Sequence, residues 1–220
     1  MKLKKIASLA LAGIMAVSML TACGEGTGNG GNGGEGEGEG QGTVTGYSAT
    51  ILNDTQLAKF YATAQDSAQL TSAVNAIVKT DIRTLDWSNN SLFSITNADQ
   101  SWVVTVADNY MTGASFDSDF VNWNTNNNDN KLLDAKDKTV YALYFISKDM
   151  TDDLIDRLVA NKLDQIAKNL VNQNVDTDEY DFTVNLAKAD WLEGTDADKT
   201  KDGVIIGIAI TVDYTAPSYN

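Results

Sequence analysis

The chemistry open to this chain is limited first by what its 220 residues lack. There is no histidine, which removes Ser-His-Asp and Cys-His nucleophilic catalysis, histidine-ligated zinc and the usual imidazole proton transfer. Cys23 is the single cysteine, so the chain offers no internal disulfide framework and no thiolate metal cluster. What remains is carboxylate, amide, hydroxyl and aromatic chemistry. Paired carboxylates can run a glycosidase without histidine, at separations of about 5–5.5 Å for retention or 6.5–9.5 Å for inversion. Asp117 and Asp119 are the pair nearest to a candidate loop. With thirty acidic residues in the chain, such a pair arises by chance, and a solvated acidic face is the plainer reading.

The strongest binding pattern lies between Met111 and Lys138, the longest stretch without regular periodicity. Phe116, Phe120 and Trp123 lead into Asn124 and a run of amides through Asn130. Aromatic rings beside amides suit a sugar, because a ring covers the apolar face of the pyranose while amides bond its hydroxyls. Long loops in compact domains are often functional, so Phe116, Phe120, Trp123 and Asn124 are the expected ligand contacts. The competing reading has the rings pinning the loop to the core. Asn124, Asn126 and Asn128 also suggest a calcium loop, but its sixth position is Asp129 instead of glycine and its twelfth is Ala135 instead of glutamate. Asp196, Asp198 and Asp202-Gly203 are likewise off-pattern. No metal site and no cofactor are expected.

These residues must be held by elements that periodicity indicates. Residues 151–171 read as an amphipathic helix through Leu154, Ile155, Leu158, Val159, Leu163, Ile166, Leu170 and Val171, with Thr151 placed to cap it and Asn172-Gln173-Asn174 to release the chain. Residues 54–79 carry two helical stripes slightly out of phase, predicting a bend or break near Asp66-Ser67, with Asp66 and Gln69 as a capping pair. Residues 204–214 alternate as a strand, as do 180–186, and the two predict a hairpin across 193–203. Val140–Ile146 is apolar on both faces, as a central strand requires. Ser91–Thr96 and Ser101–Tyr110 read as a further hairpin around 97–100. The expectation is an α+β fold, an antiparallel-dominated sheet with helices packed on one face, each half reading as helix then hairpin. The step from 139–147 through the helix to 180–190 also admits a parallel crossover.

The N-terminal region has a different character. Lys2, Lys4 and Lys5 precede an apolar run, Ile6–Leu20, which is the pattern of a secretory signal and is short for a membrane span. Twelve of the seventeen glycines fall between Gly24 and Gly46, among residues too polar to offset the entropy of ordering. The expected division is a signal peptide over 1–22, a flexible tether over 23–46 and one globular domain over 47–220. As a coil, the glycine-rich segment would span roughly 26 Å root-mean-square.

Leu20-Thr21-Ala22-Cys23 resembles the lipobox of bacterial lipoproteins. That resemblance implies cleavage between Ala22 and Cys23, a diacylglycerol thioether on the Cys23 sulfur and an extracytoplasmic, lipid-anchored location at the cell surface. Two or more acyl chains are needed for stable anchorage, since one holds only marginally. It covers the first twenty-three residues only.

The chain carries a formal charge of −14, and loss of Lys2, Lys4 and Lys5 with the signal would take it to −17. Such a surface disfavours nucleic acid. The sequence therefore favours a membrane-anchored surface protein whose domain binds a glycan, a peptide or an envelope protein and is not an enzyme. A carboxylate-based glycoside hydrolase, or a structural component of an envelope complex, are the alternatives.

Overall fold

A computed structural model describes residues 46–60, 62–80, 82, 91–98, 100–118, 120, 131–147, 150–191 and 203–217. Three long strands form its centre: β4 (Lys138–Ser147), β5 (Tyr180–Trp191) and β6 (Gly203–Tyr214). β6 lies between the other two and runs antiparallel to both, pairing Tyr141 with Ala209 on one side and Asn185 with Ala209 on the other. β4 and β5 are therefore parallel to each other, with β6 between them. The predicted hairpin and central strand are present. β6 is buried from Gly203 to Ile210, as a strand covered on both faces must be.

Three short strands close the edges. β1 (Ala62–Ala64) adds parallel to β5; β2 (Phe93–Ser94) adds antiparallel and β3 (Ala114–Phe116) parallel to β4. The class is thus α+β with a mixed, mostly antiparallel sheet. Short strands blunt sheet edges against unwanted pairing.

Helices cover both faces of the sheet, not one. Val140, Ala142, Tyr144 and Ile146 of β4, with Ile206, Ile208 and Ile210 of β6, pack under helix α5 (Asp152–Asn172), helix α1 (Tyr47–Asn53) and a 3₁₀ turn over Leu57–Phe60. The alternate residues Tyr141, Leu143, Ile205 and Ala209 belong to a second core, under helices α2 (Ala68–Ile77) and α3 (Ser101–Asp108). The physical reason is the small residue Gly207 on this face. A Cβ there would lie 2.8 Å from Leu70 Cδ1 and 2.9 Å from Val74 Cγ2, so its absence lets α2 lie directly on the sheet.

α5 matches its prediction within a residue. Ile155, Val159, Leu163, Ile166, Ala167 and Leu170 form its buried stripe. Thr151 occupies the N-cap position without a side-chain cap; Asp152 and Asp153 meet the positive end of the helix dipole. The helix ends in a left-handed Asn174 (φ 51°), with Asn174 N–H donating to Val171 O at 3.0 Å and Val175 N–H to Leu170 O at 3.2 Å. That pair of bonds is the Schellman closure.

Two expectations fail. Residues 54–79 are not one or two helices: the first stripe becomes the 3₁₀ turn and β1, and only α2 is an α-helix there. Ser67 caps α2, its Oγ accepting from Leu70 N–H at 3.2 Å. Asp66 instead caps α1, accepting from Ser48 N–H at 3.0 Å. Residues 101–110 are helix, not strand. Val103, Val104 and Ala107 are its buried residues, a one-and-four spacing that a helix gathers onto one face and a strand would split. β-branched composition pointed to a strand, and packing on the sheet overrode it.

Candidate functional site

Of the four loop residues expected to bind ligand, the two that are described, Phe116 and Phe120, pack in different parts of the fold. Phe120 is 1% exposed and belongs to the α5-side core. Phe116 ends β3 and packs edge-on against Tyr141, ring centroids 5.4 Å apart. Trp123 and Asn124 lie outside the described residues, as do Ala22, Cys23, Asp119, Asn126, Asn128, Trp87 and the turn through Asp196, Asp198 and Asp202. Helix α4 (Lys131–Asp134) and β3 occupy part of a stretch read as irregular. Trp102 is half-buried on α3, and Trp191 is buried at the end of β5.

An aromatic–amide surface occurs elsewhere, where sequence reading did not place it. Along α2 and the turn after it, Ser72, Asn75, Ala76 and Lys79 recur at helical spacing on the side away from the buried Leu70, Ala73, Val74 and Ile77. Val106, Asn109 and Tyr110 do the same at the end of α3. Together with Thr80 they line an open groove of about 870 Å³, a size within the usual range for small-molecule sites. Tyr110 is 43% exposed, and Ser72, Asn75, Lys79 and Asn109 are also exposed. The described lining residues include no carboxylate.

The groove is held from below. Tyr141, buried in the second core, donates its hydroxyl to Asp108 Oδ1 at 2.5 Å, tying the last residue of α3 to β4. Burial, and then the bond to Asp108, push the Tyr141 hydroxyl pKa far up, so it remains a donor throughout the accessible pH range. Thr80 closes the end of α2 by donating to Ile77 O at 2.6 Å. The signal for this site was a polar stripe at positions 72, 75 and 79. Reading 101–110 as a strand hid its other wall.

Two titratable clusters lie apart from the groove. At the start of the domain, Asp156 Oδ1 accepts from the Tyr47 hydroxyl and from Lys188 Nζ, both at 3.0 Å. Asp152 lies 3.8 Å from Lys188 Nζ. Burial first, and then the Asp156 charge, raise the Tyr47 pKa strongly. This joins α1, α5 and β5 and serves as a tie. On the sheet, Asp181 and Asp213 are directly opposed across β5 and β6. Burial, with the neighbouring Asp137 and Asp181 charges, raises the pKa of Asp213. Among the described residues no cluster of three or more acidic, cysteine or histidine ligands is arranged to hold a metal ion. No described helix is long and apolar enough to cross a membrane.

No known protein family, no curated protein and no solved structure matches this chain.

Proposed function

We propose that the chain is a membrane-anchored surface lipoprotein whose domain is a non-catalytic, glycan-binding module, with the α2–α3 groove as its ligand site. The observation that carries the binding half is the exposed Tyr110 ring set among Ser72, Asn75, Asn109 and Thr80 in an open groove whose described lining holds no carboxylate. A tyrosine offers a broad apolar face with a polar tip, and the amides supply both donors and acceptors for sugar hydroxyls. Hydrolysis by paired carboxylates would need two acids converging on the substrate, and the described residues of this groove offer none. The anchoring half rests on Leu20-Thr21-Ala22-Cys23 and the lysines and apolar run before it.

A glycan array followed by titration of the best binder tests the first half. Truncation of an aromatic anchor typically costs about 2 kcal/mol, roughly thirtyfold, so Tyr110→Ala should weaken the best binder by about that factor. Unchanged affinity in Tyr110→Ala rejects the groove. For the second half, Cys23→Ala should move the protein from the membrane fraction to the soluble fraction and abolish fatty acid incorporation. Retention of Cys23→Ala in the membrane, with no acyl group on the native chain, rejects the lipoprotein reading.

A further inference from the structure

The α2–α3 groove differs in charge from the rest of the chain. The sequence holds thirty acidic residues against sixteen basic ones, yet the described lining has one lysine, Lys79, and no carboxylate. Lys79 is exposed and has no ion-pair partner among the described residues. Other lysines are engaged: Lys188 Nζ lies 3.0 Å from Asp156 Oδ1, and Lys136 Nζ stands 3.6 Å above the Tyr214 ring. Asp108, the acid next to the lining residue Asn109, is taken up by the Tyr141 hydroxyl. Lys79 therefore presents its charge to whatever enters the groove.

Its neighbours define how that charge is used. Ser72, Asn75 and Lys79 follow one another up one face of α2 and the turn after it, at spacings of four and three residues. At a helical rise of about 1.5 Å per residue the row runs roughly 10 Å. The hydroxyl and the amide both donate to and accept from sugar hydroxyls. The ammonium group only donates, and an anionic acceptor gives it a bond about twice as strong as a neutral one does. It is a point charge on a flexible stem without the planar fork of arginine, so it reads the charge of a substituent and not its shape. The net charge of −14 repels an anion from a distance. That repulsion is screened beyond about 8 Å at physiological ionic strength, and at closer range the lining governs.

We infer that the groove selects an acidic glycan, Lys79 pairing with an anionic substituent of the sugar while Ser72, Asn75 and Tyr110 hold the ring. This rests on the groove being the glycan site proposed above. A glycan array that pairs each uronic acid with its methyl ester, and each sulfated sugar with its unsulfated parent, supplies the probes for titration of the full chain at physiological salt. The best Tyr110-dependent binder should be acidic, and masking its charge should weaken it about fivefold, the scale of an exposed ion pair. A larger ratio in the uronate pair or in the sulfate pair identifies the source of the charge, and either supports the inference. Lys79→Gln should bring the acid-to-neutral ratio down to about one, and Lys79→Glu should reverse the preference. An unchanged thermal midpoint in both variants shows that the lost preference is not misfolding. The inference is overturned by a neutral best binder, by an acid-to-neutral ratio that Lys79→Gln leaves unchanged, or by oligoglutamate binding as tightly as the acidic sugar. In the first two cases, weakening by Tyr110→Ala leaves the groove standing as a glycan site; absence of any Tyr110-dependent binder overturns both readings.

Discussion

Asp213 shows how a single residue can work against its own fold. Its folded-state pKa stands above the ordinary aspartate value because of burial and the Asp137 and Asp181 charges. The folded chain therefore takes up this proton more readily than the unfolded chain does, so acidification through that range adds stability, and ionisation at neutral pH subtracts it. Asp213→Asn should raise the thermal midpoint at pH 7 by the equivalent of a few tenths of a kcal/mol, given the exposure of the pair. The gain should vanish as pH falls through the carboxylate range, which scanning calorimetry across pH would record. Ser48 makes the opposite contribution. Fully buried, its Oγ accepts from Leu186 N–H at 2.8 Å and donates to Leu186 O at 3.4 Å. It thereby completes the outer edge of β5 past the end of β1. Ser48→Ala should cost about 1–3 kcal/mol in denaturant unfolding, with loss of amide protection at Leu186.

At the scale of elements, much of the architecture was legible where one physical signal dominated. α5 showed because eight apolar residues recur at one spacing over twenty-one positions. β5 and β6 showed because strict alternation has no helical counterpart. β4 showed because a run apolar on both faces needs cover on both. The same argument, applied to Gly207 and Ala209, could have foretold helices on both sides. It was missed because Thr211 and Asp213 continue that parity and gave it a polar look. α3 was not legible because valine and threonine favour strands, and only the sheet beneath makes Val103, Val104 and Ala107 a buried face. β1, β2 and β3 span two or three residues each, too short for any period, and exist through their pairing with β5 and β4. The groove escaped for the same reason as α3, since Asn109 and Tyr110 reach it only at the end of a helix. One element-level contact is open to direct test. Gly207→Ala places a methyl against Leu70 and Val74 and should destabilise by about 1–3 kcal/mol, as overpacking does. The valine variant should cost more, and Leu70→Ala should recover part of the loss in a double-mutant cycle.

For the molecule as a whole, residues Val44–Asn220 form one compact unit in which a sheet divides two cores. The groove lies on the outer side of one helical layer. α5 and the Tyr47–Asp156–Lys188 tie belong to the other side. The α2–α3 groove is thus on one side of the sheet, while helix α1 packs on the opposite core. Substitutions at Tyr110 or Asp181 should therefore leave the packing under α5 untouched.

The way α1 is fastened has a mechanical meaning. Asp66 fills the space beside Gly46, where even a methyl group would collide with its carboxylate, and it grips Ser48 N–H. The Ser48 hydroxyl is hooked to β5, and the Tyr47 hydroxyl to Asp156 on α5. Tension drawn through the preceding chain would therefore be shared at once among three separate parts of the body. A seven-residue helix so riveted passes a pull directly into β5 and α5 instead of bearing it alone.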